Sequence, residues 1–64
     1  MFKRGQLVRS RRSNLFGVVV SANKYLFRLR IVSGRHKSKI TEALHHDDVD
    51  CELVGNNYKE SENV

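Results

Sequence analysis

The 64-residue sequence has no proline, no tryptophan, one cysteine, one methionine and four glycines. A single cysteine cannot close a disulfide within the chain. That excludes the disulfide-stapled class of small secreted domains and points to a reducing, cytoplasmic setting. Without proline, the turns fall to glycine and asparagine. Met1-Phe2-Lys3-Arg4-Gly5-Gln6 offers no apolar core for a signal peptide. The longest apolar stretch, Val18-Val19-Val20 with its neighbours, covers about five residues against the roughly 20 a membrane helix needs, so no membrane role is expected. A chain this short makes one domain that buries only about 60% of its unfolded surface, which leaves little room for a deep active site. Hydrophobic residues at 39% and charged residues at 30% nonetheless give a folded, soluble balance rather than a disordered one.

A further absence is the most informative. No carboxylate occurs before Glu42. Residues 1–41 carry Lys3, Arg4, Arg9, Arg11, Arg12, Lys24, Arg28, Arg30, Arg35, Lys37 and Lys39, a charge of +11. Residues 42–64 set Lys59 against Glu42, Asp47, Asp48, Asp50, Glu52, Glu60 and Glu62, a charge of −6, which returns the total of +5. A segment with no local counter-ions attracts polyanions. The competing expectation is that the acidic third folds back and neutralises the basic part.

Alternation points to strands. Tyr25, Phe27, Leu29 and Ile31 share one face of Tyr25–Val32, and Arg28 and Arg30 share the other. Gly17–Ala22 precedes it as a second β-prone run, and Asn23-Lys24 reads as the hairpin turn, with Asn tolerating a positive φ. Further strands are expected at Gln6–Ser10, Ser38–Ala43 and Asp50–Val54, with a loop at Arg11–Asn14 and a turn at Ser33–His36. Leu44–Asp48 reads as one tight or 3₁₀ turn before the last strand. Five short strands suggest an all-β, antiparallel sheet bent into a small barrel over residues 1–54, followed by a flexible polar tail at 55–64. The expected core is Phe2, Val8, Phe16, Val18, Val20, Tyr25, Phe27, Leu29, Ile31, Ile40, Leu44, Cys51 and Leu53.

The order Phe2-x-x-Gly5-x-x-Val8-Arg9, then Phe16-Gly17-Val18-Val19-Val20, a long alternating strand and Asp50-Cys51-Glu52-Leu53-Val54 resembles an SH3-like β-barrel. The first two strands resemble its KOW-type branch, found in ribosomal and transcription-elongation proteins that touch RNA, DNA or polymerase. This resemblance spans about residues 2–54. It departs from the KOW pattern in the first loop, where Arg11-Arg12-Ser13-Asn14-Leu15 stands in place of the usual glycine. SH3-like barrels also host protein-binding functions, so the resemblance implies the fold more narrowly than the activity.

The candidate site is basic: Arg9, Arg11, Arg12, Arg28, Arg30, Arg35, Lys37 and Lys39. Arginine outnumbers lysine, and its guanidinium fork matches phosphate oxygens bidentately. Phenylalanine is needed in the core, which leaves Tyr58 as the aromatic expected at the surface, so binding would be led by backbone charge. His45, His46, Asp47, Asp48, Asp50 and Cys51 are metal-ligand types, but the run lacks a C-x-x-C or H-x₃-H spacing, and no metal or cofactor is expected. His36 reads as a solvent-facing loop residue. Cys51 alternates with Leu53 and reads as packing rather than as a nucleophile, and no Gly-rich phosphate loop exists, so no enzyme is expected. The expectation is a monomeric regulatory module that binds nucleic acid or a nucleic-acid-processing complex, of a size that suits a viral or plasmid-borne accessory protein. The alternative is an adaptor that docks on an acidic protein surface.

Overall fold

A computed structural model describes residues 1–56. It contains five strands: β1 (Leu7–Ser10), β2 (Leu15–Ala22), β3 (Leu26–Ile31), β4 (Leu44–His45) and β5 (Cys51–Gly55). All pairings are antiparallel, and the sheet order is β4-β3-β2-β1-β5. The sheet is all-β and curls into a half-barrel; among the described residues there is no helix.

The core follows the alternation of β3. Phe27, Leu29 and Ile31 are buried, while Arg28 is exposed and Arg30 half-buried. Val8, Val19, Phe27 and Leu29 form the central cluster, and Phe2, Leu44 and Cys51 pack against it. In β2 the expected core of Phe16, Val18 and Val20 holds at Val18 alone, and Val19 joins it. Val19 pairs with Leu29 and points inward, whereas Val18 pairs with Leu7 and Arg30 on the outer face, and Val20 is only half-buried. Three consecutive valines carry no alternation, and a register shift between Val19 and Ser21 hides the parity further. Val18 is nonetheless buried, at 7% exposure, between Leu7 and Arg30. Phe16 is half-buried rather than central.

The close approach of β2 to β3 needs Gly17. It pairs with Val8 and Ile31, and a Cβ there would meet the Leu29 Cβ at 2.8 Å. The bare backbone lets β2 and β3 approach closely there. In the first loop, Asn14 adopts φ 54°, the left-handed region that asparagine tolerates better than most side chains. Its Oδ1 accepts hydrogen bonds from Arg9 Nε and Nη2 at 3.3 and 3.0 Å.

Several expectations change at the loops. Asn23 does not use a positive φ among the described residues; its Oδ1 instead accepts from the Tyr25 and Leu26 N–H groups at 2.8 and 2.9 Å. The turn therefore includes Tyr25, which lies outside β3 and is 68% exposed instead of buried. The expected strand at Ser38–Ala43 is reduced to one bridge, Ile40 to Arg30. Ile40 sits on the outer face and is 52% exposed. Thr41 still fastens this run to β3: its N–H donates to the Leu29 carbonyl at 2.8 Å, and its hydroxyl accepts from the Leu29 N–H at 3.0 Å. The fourth strand comes later, because Leu44 and His45 pair with Phe27 and Leu26 rather than forming a turn. The turn begins at His46. Leu53 faces Val8 but lies on an edge strand and is 47% exposed. β5 runs on through Gly55, and Gln6 Nε2 donates to Asn56 Oδ1 at 3.2 Å, so the ordered chain passes the expected boundary at 54. The rest of the expected tail, with Tyr58, lies outside the described residues.

His46 closes the end of the sheet. Its ring lies 5.2 Å from Phe27, and Phe2 lies 4.8 Å from Phe27. Nδ1 accepts from the Phe2 N–H at 3.0 Å, and Nε2–H donates to the Asn23 carbonyl at 2.7 Å. One histidine thus ties the N-terminal segment to the β2–β3 turn, and these two bonds set its tautomer.

Candidate nucleic-acid interface

The sheet order separates the eight candidate cations into two groups. Arg9 lies on β1, and Arg11 and Arg12 in the loop that follows it. β1 pairs with β5, so this group meets the acidic third of the chain. Arg9 Nη1 contacts Glu52 Oε1 at 3.0 Å, and Arg11 Nη2 contacts Glu52 Oε2 at 3.4 Å. Arg12 pairs with Asp50. Arg11 Nη1 also donates to the Val49 carbonyl at 3.3 Å. Hydrogen bonds from Arg11 and Arg9 hold the Glu52 carboxyl below the usual glutamate range, against a smaller opposing effect of burial. The first loop thus carries its own counter-ions, although they lie about forty residues away in sequence.

The second group lies on β3 and in the loop after it. Arg28 and Arg30 project from the outer face of β3, two residues apart, which is about 7 Å by strand geometry. Arg35, Lys37 and Lys39 follow in the connection to β4. That connection is well fastened. The Lys37 N–H donates to the Gly34 carbonyl at 3.3 Å and the Lys39 N–H to the His36 carbonyl at 3.0 Å. The Ser38 N–H reaches the Ile31 carbonyl at 2.7 Å, and the Ile31 N–H reaches the Lys39 carbonyl at 2.9 Å. Gly34 and Ser38 turn the chain at φ 73° and 77°. Ser38 is a strained choice at such an angle, since only glycine takes it freely.

Among the described residues, Arg28, Arg35, Lys37 and Lys39 make no ion pair with a carboxylate. Arg28, Arg35, Lys37 and Lys39 are exposed. Arg30 is half-buried, opposite Val18 on one side and Ile40 on the other. β3 and β5 are three strand spacings apart, about 14 Å measured along the curved sheet. Lys3 and Arg4 continue the basic surface past the end of β2, where they line a shallow cleft with Val20, Ser21 and Asn23.

The remaining chemistry-bearing residues do not converge. No group of three metal-ligating side chains comes together among the described residues. His46 is committed to its two backbone bonds. Burial raises the Cys51 thiol above its ordinary range, with Asp48 and Asp50 adding to the rise and Arg12 opposing it. Sequence reasoning missed that Tyr25 is exposed, with Lys24 Nζ 5.6 Å from its ring centroid. A turn asparagine two residues earlier was the available signal that Tyr25 sits before the strand.

No family model matches the chain, and neither curated proteins nor solved structures give a match.

Proposed function

We propose that the chain is a small SH3-like barrel that binds nucleic acid through its phosphates, without catalysis or a cofactor, in the cytoplasm. The observation that carries this reading is the row of exposed cations on β3 and the β3–β4 connection, far from the carboxylates that neutralise the first loop. The strand order, with β5 returning to pair beside β1, supports the SH3-like assignment. Arg28, Arg35, Lys37 and Lys39, with Arg30, form the contact set; Arg9, Arg11 and Arg12 contribute less because a phosphate must compete with Glu52 and Asp50. Contacts of this kind position the protein on the backbone and carry little sequence information.

Docking on an acidic protein surface is the second reading. Ile40 favours it, because an apolar side chain 52% exposed beside Arg30 suits a protein interface better than a phosphate track. A gel shift with single- and double-stranded DNA and RNA at low salt separates the two. Retarded bands that disappear on adding salt support nucleic-acid binding. No retardation with any of the four probes leaves the adaptor.

A further inference from the structure

His46 sits where three parts of the chain meet. Its Nδ1 lies 3.0 Å from the Phe2 nitrogen, and its Nε2 lies 2.7 Å from the Asn23 carbonyl oxygen. Its ring stacks on Phe27 at 5.2 Å and on Phe2 at 6.2 Å. A backbone N–H can only donate, and a backbone carbonyl can only accept. The two contacts together therefore demand a neutral ring with its proton on Nε2. The imidazolium carries a proton on each nitrogen. Its Nδ1–H would face the Phe2 N–H, donor against donor, whereas its Nε2–H would bond the Asn23 carbonyl more strongly than before. Protonation thus breaks one of the two bonds and keeps the other.

The bond it breaks fastens only the start of the chain. From Lys3 onward the backbone has anchors of its own. The Lys3 N–H donates to Gln6 Oε1 at 2.8 Å, and the Gln6 N–H donates to the Lys3 carbonyl at 3.1 Å. The Gly5 N–H donates to the Val19 carbonyl, and the Val19 N–H to the Gln6 carbonyl, both at 2.9 Å. Met1 and Phe2 can therefore leave without dismantling the sheet. The charged and titratable groups around the ring are mixed. Lys24, Tyr25, His45 and Asp47 line the cleft beside it. The N-terminal segment brings the Met1 amino group, Lys3 and Arg4, and Asp48 follows in the same turn. Leu26 and Phe27 of β3 are uncharged. The two aspartates favour the imidazolium, and the cations oppose it.

We infer that His46 is a proton-operated latch. The neutral ring holds Phe2 on Phe27, and the imidazolium lets Met1 and Phe2 go, uncovering that end of the core. The inference does not depend on nucleic-acid binding. An unconstrained histidine takes up its proton near pH 6.5. The released or unfolded chain binds a proton that the latched chain does not, so the latch holds above that pH and yields as pH falls below it.

The test compares the parent with His46→Asn, whose side-chain oxygen can accept the Phe2 N–H in place of Nδ1 but takes up no proton. Thermal unfolding of the full chain is followed by circular dichroism at pH about 7.5 and about 5.5. Carboxylates stay largely ionised over that interval, and His36 and His45 are common to both proteins. The parent should lose about 4–8 °C more than His46→Asn on acidification, the shift that one hydrogen bond makes in so small a domain. An equal change in the two proteins overturns the inference, because His46 would then only brace the fold. A second measurement needs no variant. Nuclear Overhauser contacts between the Phe2 and Phe27 rings should be present in the parent at pH about 7.5 and weaken severalfold at about 5.5. Contacts between Val19 and Leu29 should persist at both and show that the sheet is intact. Ring contacts that are unchanged at the lower pH also overturn the inference.

Discussion

Replacing Phe27 with alanine is the most severe single change the core allows. Phe27 is 1% exposed and lies among Val8, Val19 and Leu29, with the Phe2 and His46 rings 4.8 and 5.2 Å away. Truncating a buried Phe to Ala costs about 3–5 kcal/mol, because the transfer energy is lost and a cavity remains. A 64-residue domain has a total stability of about 3–10 kcal/mol at the usual value per residue. Alanine therefore removes about 30% of the stability at least, and at the lower end all of it. Phe27→Leu keeps most of the volume but loses both ring contacts, which are worth about 0.5–1.5 kcal/mol each beyond burial. With a urea slope of about 1 kcal/mol/M for so small a chain, the alanine midpoint should fall by about 3 M or more, and the leucine midpoint by about 1–3 M. The measurement is urea unfolding followed by far-UV circular dichroism. An alanine variant with a midpoint within about 0.5 M of the parent would mean that β3 presents its other face to the core.

Gly17→Ala should lose about 1–3 kcal/mol, since the new methyl meets the Leu29 Cβ at 2.8 Å where two strands already touch; an unchanged thermal midpoint would show that the strands are free to separate there. Glu52 is held below the ordinary glutamate range, so the stability it contributes is present above pH about 4.3 and is lost as pH falls through its lower, folded value. The stability gap between the parent and Glu52→Gln should then narrow on acidification below that pH, and a gap that stays constant down to pH 2 would refute the pairing. Cys51, raised by burial and by Asp48 and Asp50, should react with a disulfide reagent at pH 7 more slowly than a free thiol peptide; a rate equal to the peptide's would contradict its partly buried placement.

What could be read from the sequence depended on whether a pattern was local. The alternation of Phe27, Leu29 and Ile31 against Arg28 and Arg30 lies within one strand, and the observed faces of β3 follow it. Val18, Val19 and Val20 contain no alternation, so only pairing with Leu29 and Leu7 decides which of them faces inward. Leu44 and His45 become a strand because Phe27 and Leu26 are there to pair with, not through any propensity of their own. The same holds for charge. The segregation of basic from acidic residues is plain in the chain, but which arginines meet a carboxylate depends on β5 returning beside β1. That single pairing divides the candidate set and leaves Arg28, Arg35, Lys37 and Lys39 exposed, with no carboxylate ion pair among the described residues.

Phosphate binding by the β3 group is most directly measured by the salt dependence of affinity. Fluorescence anisotropy with a labelled single-stranded or duplex oligonucleotide, between about 50 and 200 mM salt, gives the slope of log K against log salt. With about four phosphates engaged, the parent should show a slope near −3.6 on a duplex and near −2.8 on a single strand. The double variant Arg35→Ala/Lys37→Ala should flatten it by about two, whereas Arg11→Ala/Arg12→Ala should change it by less than about one, because Glu52 and Asp50 already hold those side chains. A slope that collapses with the Arg11/Arg12 pair and ignores the Arg35/Lys37 pair would place the interface on the first loop and contradict the account.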